Sequence, residues 1–96
     1  MKAKVYHVIK PTFFPDVNLP KTAYKLVAEV ECETHDDAYR LTQNIDEPWT
    51  KNNNVTSLVG DRCRSTSVGD VIEMLDTFHM CEMIDWSEFK FPKEKR

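Results

Sequence analysis

Glycine is scarce in this sequence, since Gly60 and Gly69 are the only two. A glycine-rich phosphate loop or a dinucleotide fingerprint needs several closely spaced glycines, so both motifs are excluded. No apolar run approaches the roughly 20 residues of a membrane-spanning helix. The start, with Lys2 and Lys4, is not followed by the apolar segment of a signal peptide. We therefore expect a cytoplasmic protein with no membrane partner.

Cysteine is also limited, and no Cys-x-x-Cys motif occurs. Three widely spaced cysteines do not form a disulfide framework, which is typical of a reducing compartment. Cys32 and Cys81 lie in strand-like runs, where a free thiol is usually a small buried hydrophobe. Cys63 lies between Arg62 and Arg64, whose charges would lower the pKa of its thiol. A reactive Cys63 is therefore an alternative to a structural one.

No constellation of catalytic or metal-binding residues can be read from the sequence. The histidines are scattered, and His79 with Cys81 would place only two ligands on one strand face, whereas a structural zinc site needs four. Serine, histidine and aspartate occur without a spacing that indicates a nucleophile and its base. We therefore predict that the protein is not an enzyme and has no catalytic residues, no metal and no cofactor.

An excess of positive charge is missing as well, because the formal net charge is −3. This balance does not indicate a general binder of phosphate backbones. The strand run around Glu29, Glu31 and Glu33 is acidic and could contact a partner, while the segment 93–96 is a short basic tail. Alternatively, the acidic run is only a solvated strand face and the basic tail only a frayed terminus.

The hydrophobic pattern predicts an α+β fold in one domain, residues 1–92. Alternating apolar residues indicate a small, mainly antiparallel sheet of about four strands, packed by one helix in the order β-β-α-β-β. The predicted helix begins after the N-cap Thr34, has a capping-box spacing to Asp37, and runs about three turns until residues 44–48 end it. The predicted strands are 2–10, 24–33, 68–75 and 78–86. The last two are joined by a turn at residues 76–77, whose type the sequence does not determine.

Two apolar features fall outside these elements. The proline-rich segment 11–20 is predicted to be an extended loop whose Phe13 and Phe14 cover the core, or else form a contact point for a partner. Trp49 is predicted to pack over the end of the helix, because its large ring is costly to leave in water.

The strongest candidate for a polar site is the segment from Arg62 to Ser67. Two guanidinium groups beside three hydroxyls suit a phosphate or the carboxylates of a partner. The alternative is structural, with Arg64 paired to Asp61 or Asp70 and the hydroxyls bonded to the loop backbone. The candidate binding residues are Arg62, Arg64, Ser65, Thr66, Ser67, Trp49, Glu29 and Glu31.

Three stretches carry a family resemblance. The run Arg64–Ile72, with the sequence RSTSVGDVI, resembles an R-S-x-S-V-G-D-V motif of small uncharacterised proteins from phages and mobile elements. Residues 37–45 followed by Trp49 resemble the helix of that group, and residues 84–89 resemble the ending of YodL-like small domains. The resemblance implies a small α+β domain of phage or mobile-element origin, and it implies no activity.

Together these observations predict a non-enzymatic accessory protein that binds and modulates a host macromolecule, most simply a host protein. Contact could be made by the acidic strand face, by the segment Arg62–Ser67, or by pairing of edge strands, including pairing within a homodimer. One alternative is a nucleic-acid-binding module using Arg62, Arg64, Lys51, Trp49 and the basic tail 93–96. Another is a protein that binds a nucleotide ligand.

Overall fold

The first strand of the chain lies in the middle of the sheet. The computed structural model describes residues 1–10, 18–45 and 47–82, together with the backbone of residues 86–89. All neighbouring strands are antiparallel, in the order β3-β2-β1-β4-β5-β6. The strands are β1 (Lys2–Val8), β2 (Tyr24–Glu31), β3 (Val55–Ser57), β4 (Val71–Met74), β5 (Thr77–Cys81) and β6 (Trp86–Phe89).

The predicted α+β class, with a mainly antiparallel sheet packed by one helix, is confirmed, and the sheet has six strands, slightly more than the predicted number of about four. The two additional strands, β3 and β6, have only three and four residues. Strands of that length show few alternations, so the sequence pattern indicates them only weakly. Within the described ranges, no helix has the length and apolar character needed to cross a bilayer. The tail 93–96 and residues 11–17 of the proline-rich loop lie outside the described residues.

The α-helix of the described residues, α1 (His35–Leu41), is shorter than predicted, and two 3₁₀ turns occur at Lys21–Ala23 and Trp49–Lys51. Its predicted start is confirmed, because the Thr34 hydroxyl accepts a hydrogen bond from the Asp37 amide at 3.1 Å. Its end lies before the predicted one at residues 44–48, since the Thr42 carbonyl accepts instead from the amide of Thr66 at 3.0 Å. Ile45, which follows the end of the helix, is 80% exposed.

Apolar side chains pack on both faces of the sheet. The core on the helix side includes Ala3, Val5, Val27, Ala28, Val30, Ala38, Trp49 and Ile72. The core on the opposite side consists of Tyr6, Val8, Tyr24, Val71 and Met80, with Leu19, Ala23, Leu26 and Phe78 against it. His7 follows Val5 by two positions on β1 and is only 4% exposed, so alternation carries an imidazole to the helix side.

The turn between β4 and β5 has an unusual conformation for its sequence. Leu75 and Asp76 both have positive φ, 51° and 63°, as a type I′ turn requires. Asn-Gly is the favoured pair for this turn, whereas leucine pays a steric cost there. Leu75 is also 76% exposed, so its side chain gains little burial in return.

Replacing Leu75 and Asp76 together by Asn and Gly is expected to raise the free energy of unfolding by about 1 kcal/mol, because it relieves this backbone cost. Chemical denaturation measures the gain. Leu75→Ala is the control, since it removes the exposed side chain but keeps a residue that disfavours positive φ. An equal gain in both variants would contradict the backbone explanation.

Candidate functional site

A fully buried carboxylate, that of Asp70, organises the loop that precedes β4. Arg64 donates to it in bidentate fashion, from Nη1 to Oδ2 at 2.6 Å and from Nη2 to Oδ1 at 2.7 Å. The amides of Val8 and Ser67 donate to the same group at 2.9 and 2.7 Å. A buried charge is tolerated when it is paired and hydrogen-bonded in this way.

Arg64 is held in place by the same interactions. Its Nη2 also donates to the Val8 carbonyl at 3.0 Å, which ties the loop to the end of β1. The hydrogen bonds to Asp70 raise the pKa of Arg64. Of the two structural partners considered from the sequence, Asp70 is therefore the actual one, and the Arg64 guanidinium is occupied within the fold.

The backbone of Asp70 explains the glycine beside it. The Asp70 amide donates to the Ser67 carbonyl at 3.0 Å, which closes a turn with Gly69 at its third position. Gly69 has φ 91°, a conformation that side-chain-bearing residues rarely adopt. The Ser67–Asp70 stretch of the motif thus encodes a turn that presents the carboxylate to Arg64.

A chain of hydrogen bonds runs through the helix-side core next to this ion pair. The Thr42 hydroxyl lies 2.8 Å from the Ala38 carbonyl and 2.7 Å from the Thr66 hydroxyl. Thr66 in turn lies 2.8 Å from Nε2 of His7. Since Thr42 must give its only hydrogen to a carbonyl, Thr66 donates to Thr42 and His7 donates from Nε2 to Thr66. We assign this tautomer by elimination, and it leaves Nδ1 of His7 as an acceptor.

Nδ1 of His7 faces the thiol of Cys63 at 3.5 Å. Burial raises the pKa of Cys63, against the lowering effect of Arg64 and its backbone amide. Burial also lowers the pKa of His7 to about 4, although the Asp70 carboxylate, 3.9 Å from Nε2, opposes this shift. The expectation that two flanking arginines lower the pKa of Cys63 is therefore wrong, because burial outweighs Arg64, whose charge is paired with Asp70.

The buried imidazole makes the fold sensitive to acid. Because the pKa of His7 is about 4 in the folded protein and about 6.5 in an unfolded chain, protonation favours the unfolded state. The free energy of unfolding is therefore unaffected by His7 above the pKa of the unfolded chain, and it falls as the pH drops toward 4. Between about pH 7.5 and pH 5 we expect a loss of about 2 kcal/mol from this group. Denaturation of the His7→Gln variant over the same pH range isolates its contribution, and an unchanged slope would contradict it.

Residues 63–66 are fastened to the segment after the helix. The Trp49 indole donates to the Arg64 carbonyl, and the Asn44 side chain donates to the Cys63 carbonyl, both at 2.8 Å. The Asn44 amide donates to the Ser65 hydroxyl at 2.8 Å. Trp49 has no exposed surface and packs edge-on to His7, with 6.2 Å between ring centroids. Trp49 shares the helix-side core with Ala38 of α1, as a buried ring next to the helix was expected to do, and it is not accessible to a ligand.

An open cleft of about 550 Å³ lies against this braced wall. Two neighbouring residues give the cleft its reactive groups. Arg62 is exposed at the rim, and Cys63 is half-buried in the wall. No ion-pair partner of Arg62 is found in the described ranges of the chain. We define the cleft by its lining residues, which are Asn44, Ile45, Glu47, Pro48, Arg62, Cys63 and Arg64.

The other candidate residues lie in different settings. The Thr66 hydroxyl is occupied in the core, and the Ser67 hydroxyl accepts from Arg64 at 3.5 Å. Glu29 and Glu31 are opposite Lys4 and Lys2 in the β1–β2 register, and Lys4 is also opposite Glu73 of β4. Cross-strand neighbours of opposite sign attract each other, so this face carries alternating charges and is not uniformly acidic.

Comparison of the chain with protein-family models, with curated proteins and with solved structures gave no match. The resemblance to small phage and mobile-element proteins stays a prediction. The site is therefore defined by its geometry, which joins the Asp70–Arg64 pair, the Cys63–His7 pair and the adjoining cleft.

Proposed function

We propose that the chain is a binding protein that holds a segment of another protein in the cleft. The observation that carries the proposal is that the wall of the cleft is fixed by hydrogen bonds, whereas its rim exposes an apolar side chain and a charge. Arg64 and Trp49 fix the wall from behind, whereas Ile45 is 80% exposed and Arg62 projects a charge into solvent. Such a rim suits a peptide that brings an apolar side chain and a carboxylate. The family resemblance would make the partner a host protein.

The same residues favour a protein over a nucleic acid as the occupant. The Arg64 guanidinium is committed to Asp70, and the Trp49 ring has no exposed surface on which a base could stack. Ile45 at the rim offers apolar contact that a phosphate backbone cannot use.

Selection from a displayed library of random peptides tests the proposal. We expect enrichment of peptides in which an acidic residue stands near an apolar one, because Arg62 and Ile45 share the rim. The double variant Ile45→Asp, Arg62→Glu should bind these peptides with an affinity at least about tenfold lower, which corresponds to about 1.4 kcal/mol.

The matched control is the double variant Leu58→Asp, Lys51→Glu, which makes the same kinds of change at exposed residues outside the cleft. It should bind the selected peptides as the unmodified protein does. Equal binding by the cleft variant would contradict the proposal. A shift of single-stranded or duplex nucleic acid at about 50 mM salt, lost on Arg62→Glu, would replace it with the nucleic-acid alternative.

A further inference from the structure

We propose that Cys63 and His7 form a nucleophilic pair that takes the acyl group of a thioester presented in the cleft. The inference uses the cleft of the proposed function but does not require a protein partner. Cys63 is the only cysteine among its lining residues, and the base lies directly behind it, with Sγ and Nδ1 3.5 Å apart. A nucleophile, a base and a third group that orients the base are the parts from which such sites are built.

The base is oriented on its far side. The Thr66 hydroxyl accepts from Nε2 and is itself fixed by Thr42, so the imidazole can only present a bare Nδ1 to the thiol. The charged groups around the pair are Asp70, Arg64 and Lys25, the last of which stands opposite His7 in the β1–β2 register. Burial and Arg64 disfavour an imidazolium at His7 and Asp70 favours it, so the imidazole is the neutral acceptor before the reaction and holds the proton only briefly during it.

The reaction is a transfer without oxidation or reduction. The thiol proton of Cys63 moves to Nδ1 of His7 as Sγ attacks the carbonyl carbon of the thioester. A new Sγ–carbon bond forms, the bond between that carbon and the leaving sulfur breaks, and the departing thiolate takes the proton from Nδ1. The product is a Cys63 thioester and a free thiol. Because Arg62 is exposed at the rim, an acyl group that carries a carboxylate is preferred.

The choice of acyl chemistry follows from what surrounds the thiol. Disulfide exchange within the chain would need a second accessible cysteine, but Cys32 and Cys81 are both buried. Burial raises the pKa of Cys81 to about 11, which keeps it protonated. A neutral thiol beside a neutral imidazole reacts by passing its proton to the imidazole. Acyl transfer from a thioester then needs no oxidant, reductant or further residue.

The test is the pH dependence of acylation by the succinyl thioester of N-acetylcysteamine. Cleavage after acidic residues releases residues 62–70, which contain Cys63 and no other cysteine, so mass spectrometry reports on this thiol alone. A synthetic peptide of the same nine residues is the reference, since it keeps both arginines but lacks His7. For the peptide, the rate should fall about tenfold per pH unit below the thiol pKa, with the thiolate population.

For the folded protein we expect a rate that changes less than about threefold between about pH 7.5 and pH 5.5, because His7 stays neutral and the pair stays intact. His7→Gln should restore the steep dependence, and Arg62→Ala should remove the preference for the succinyl over the butyryl thioester. Absence of Cys63 acylation, or a pH profile parallel to that of the peptide, would overturn the proposal. Failure of peptide selection would overturn only the proposed function.

Discussion

Replacement of Asp70 by alanine is expected to lower the free energy of unfolding by about 3 to 5 kcal/mol, because it leaves a partly buried guanidinium and two amides without their acceptor. Arg64 loses both of its bonds to the carboxylate, and the amides of Val8 and Ser67 lose theirs. The loss should appear as a lower midpoint in urea, measured by circular dichroism.

Asp61→Ala is the matched control, since Asp61 was the other acidic partner considered for Arg64 and is exposed. We expect it to leave the midpoint nearly unchanged. A small effect of Asp70→Ala, similar to that of Asp61→Ala, would show that the loop does not depend on the buried ion pair. The double variant with Arg64→Met tests whether the unpaired charge causes most of the loss, because it should recover part of the stability.

Trp49→Ala is the second change with a large expected effect, again about 3 to 5 kcal/mol, from the cavity left by a fully buried ring. The ring packs on His7 and its indole nitrogen holds the Arg64 carbonyl at 2.8 Å. Circular dichroism is the appropriate measurement, because the substitution removes a fluorophore.

Trp49→Phe separates the two contributions of this residue. It keeps much of the apolar contact but removes the indole donor, so about 1 to 2 kcal/mol should be lost for the hydrogen bond and the smaller volume. Equal losses for the alanine and phenylalanine variants would assign the effect to the hydrogen bond. A loss below about 1 kcal/mol for Trp49→Ala would contradict the burial of the ring.

The elements with strong periodicity were predictable. Alternation in β1 and β2, the N-cap at Thr34 and the burial of Cys32 and Cys81 all follow from local chemistry that a sequence displays. The helix end was not predictable, because α1 stops where Thr42 turns its carbonyl to the amide of Thr66. That partner is far along the chain and belongs to no local pattern.

The candidate site was predicted only in part. The sequence indicated the segment Arg62–Ser67 and a structural role for Arg64, and the bond to Asp70 confirms that role. The contact between Cys63 and His7 could not be predicted from the sequence, because 56 residues separate them. One signal was present, since the alternation of β1 places His7 on the same face as Val5. A buried histidine needs partners for both ring nitrogens, which is a reason to look for distant thiols and hydroxyls.

The central position of β1 sets the timing of folding. One of its edges pairs with β2, but the other has no partner until β4 has left the ribosome. The bonds from His7 to Thr66 and from Val8 to Asp70 close loops of 59 and 62 residues. The chain loses the entropy of loop closure before such distant contacts stabilise it. We therefore expect refolding in roughly milliseconds to seconds, slower than a helical bundle of this size. Until then, the nascent chain exposes an apolar strand edge that a chaperone can recognise.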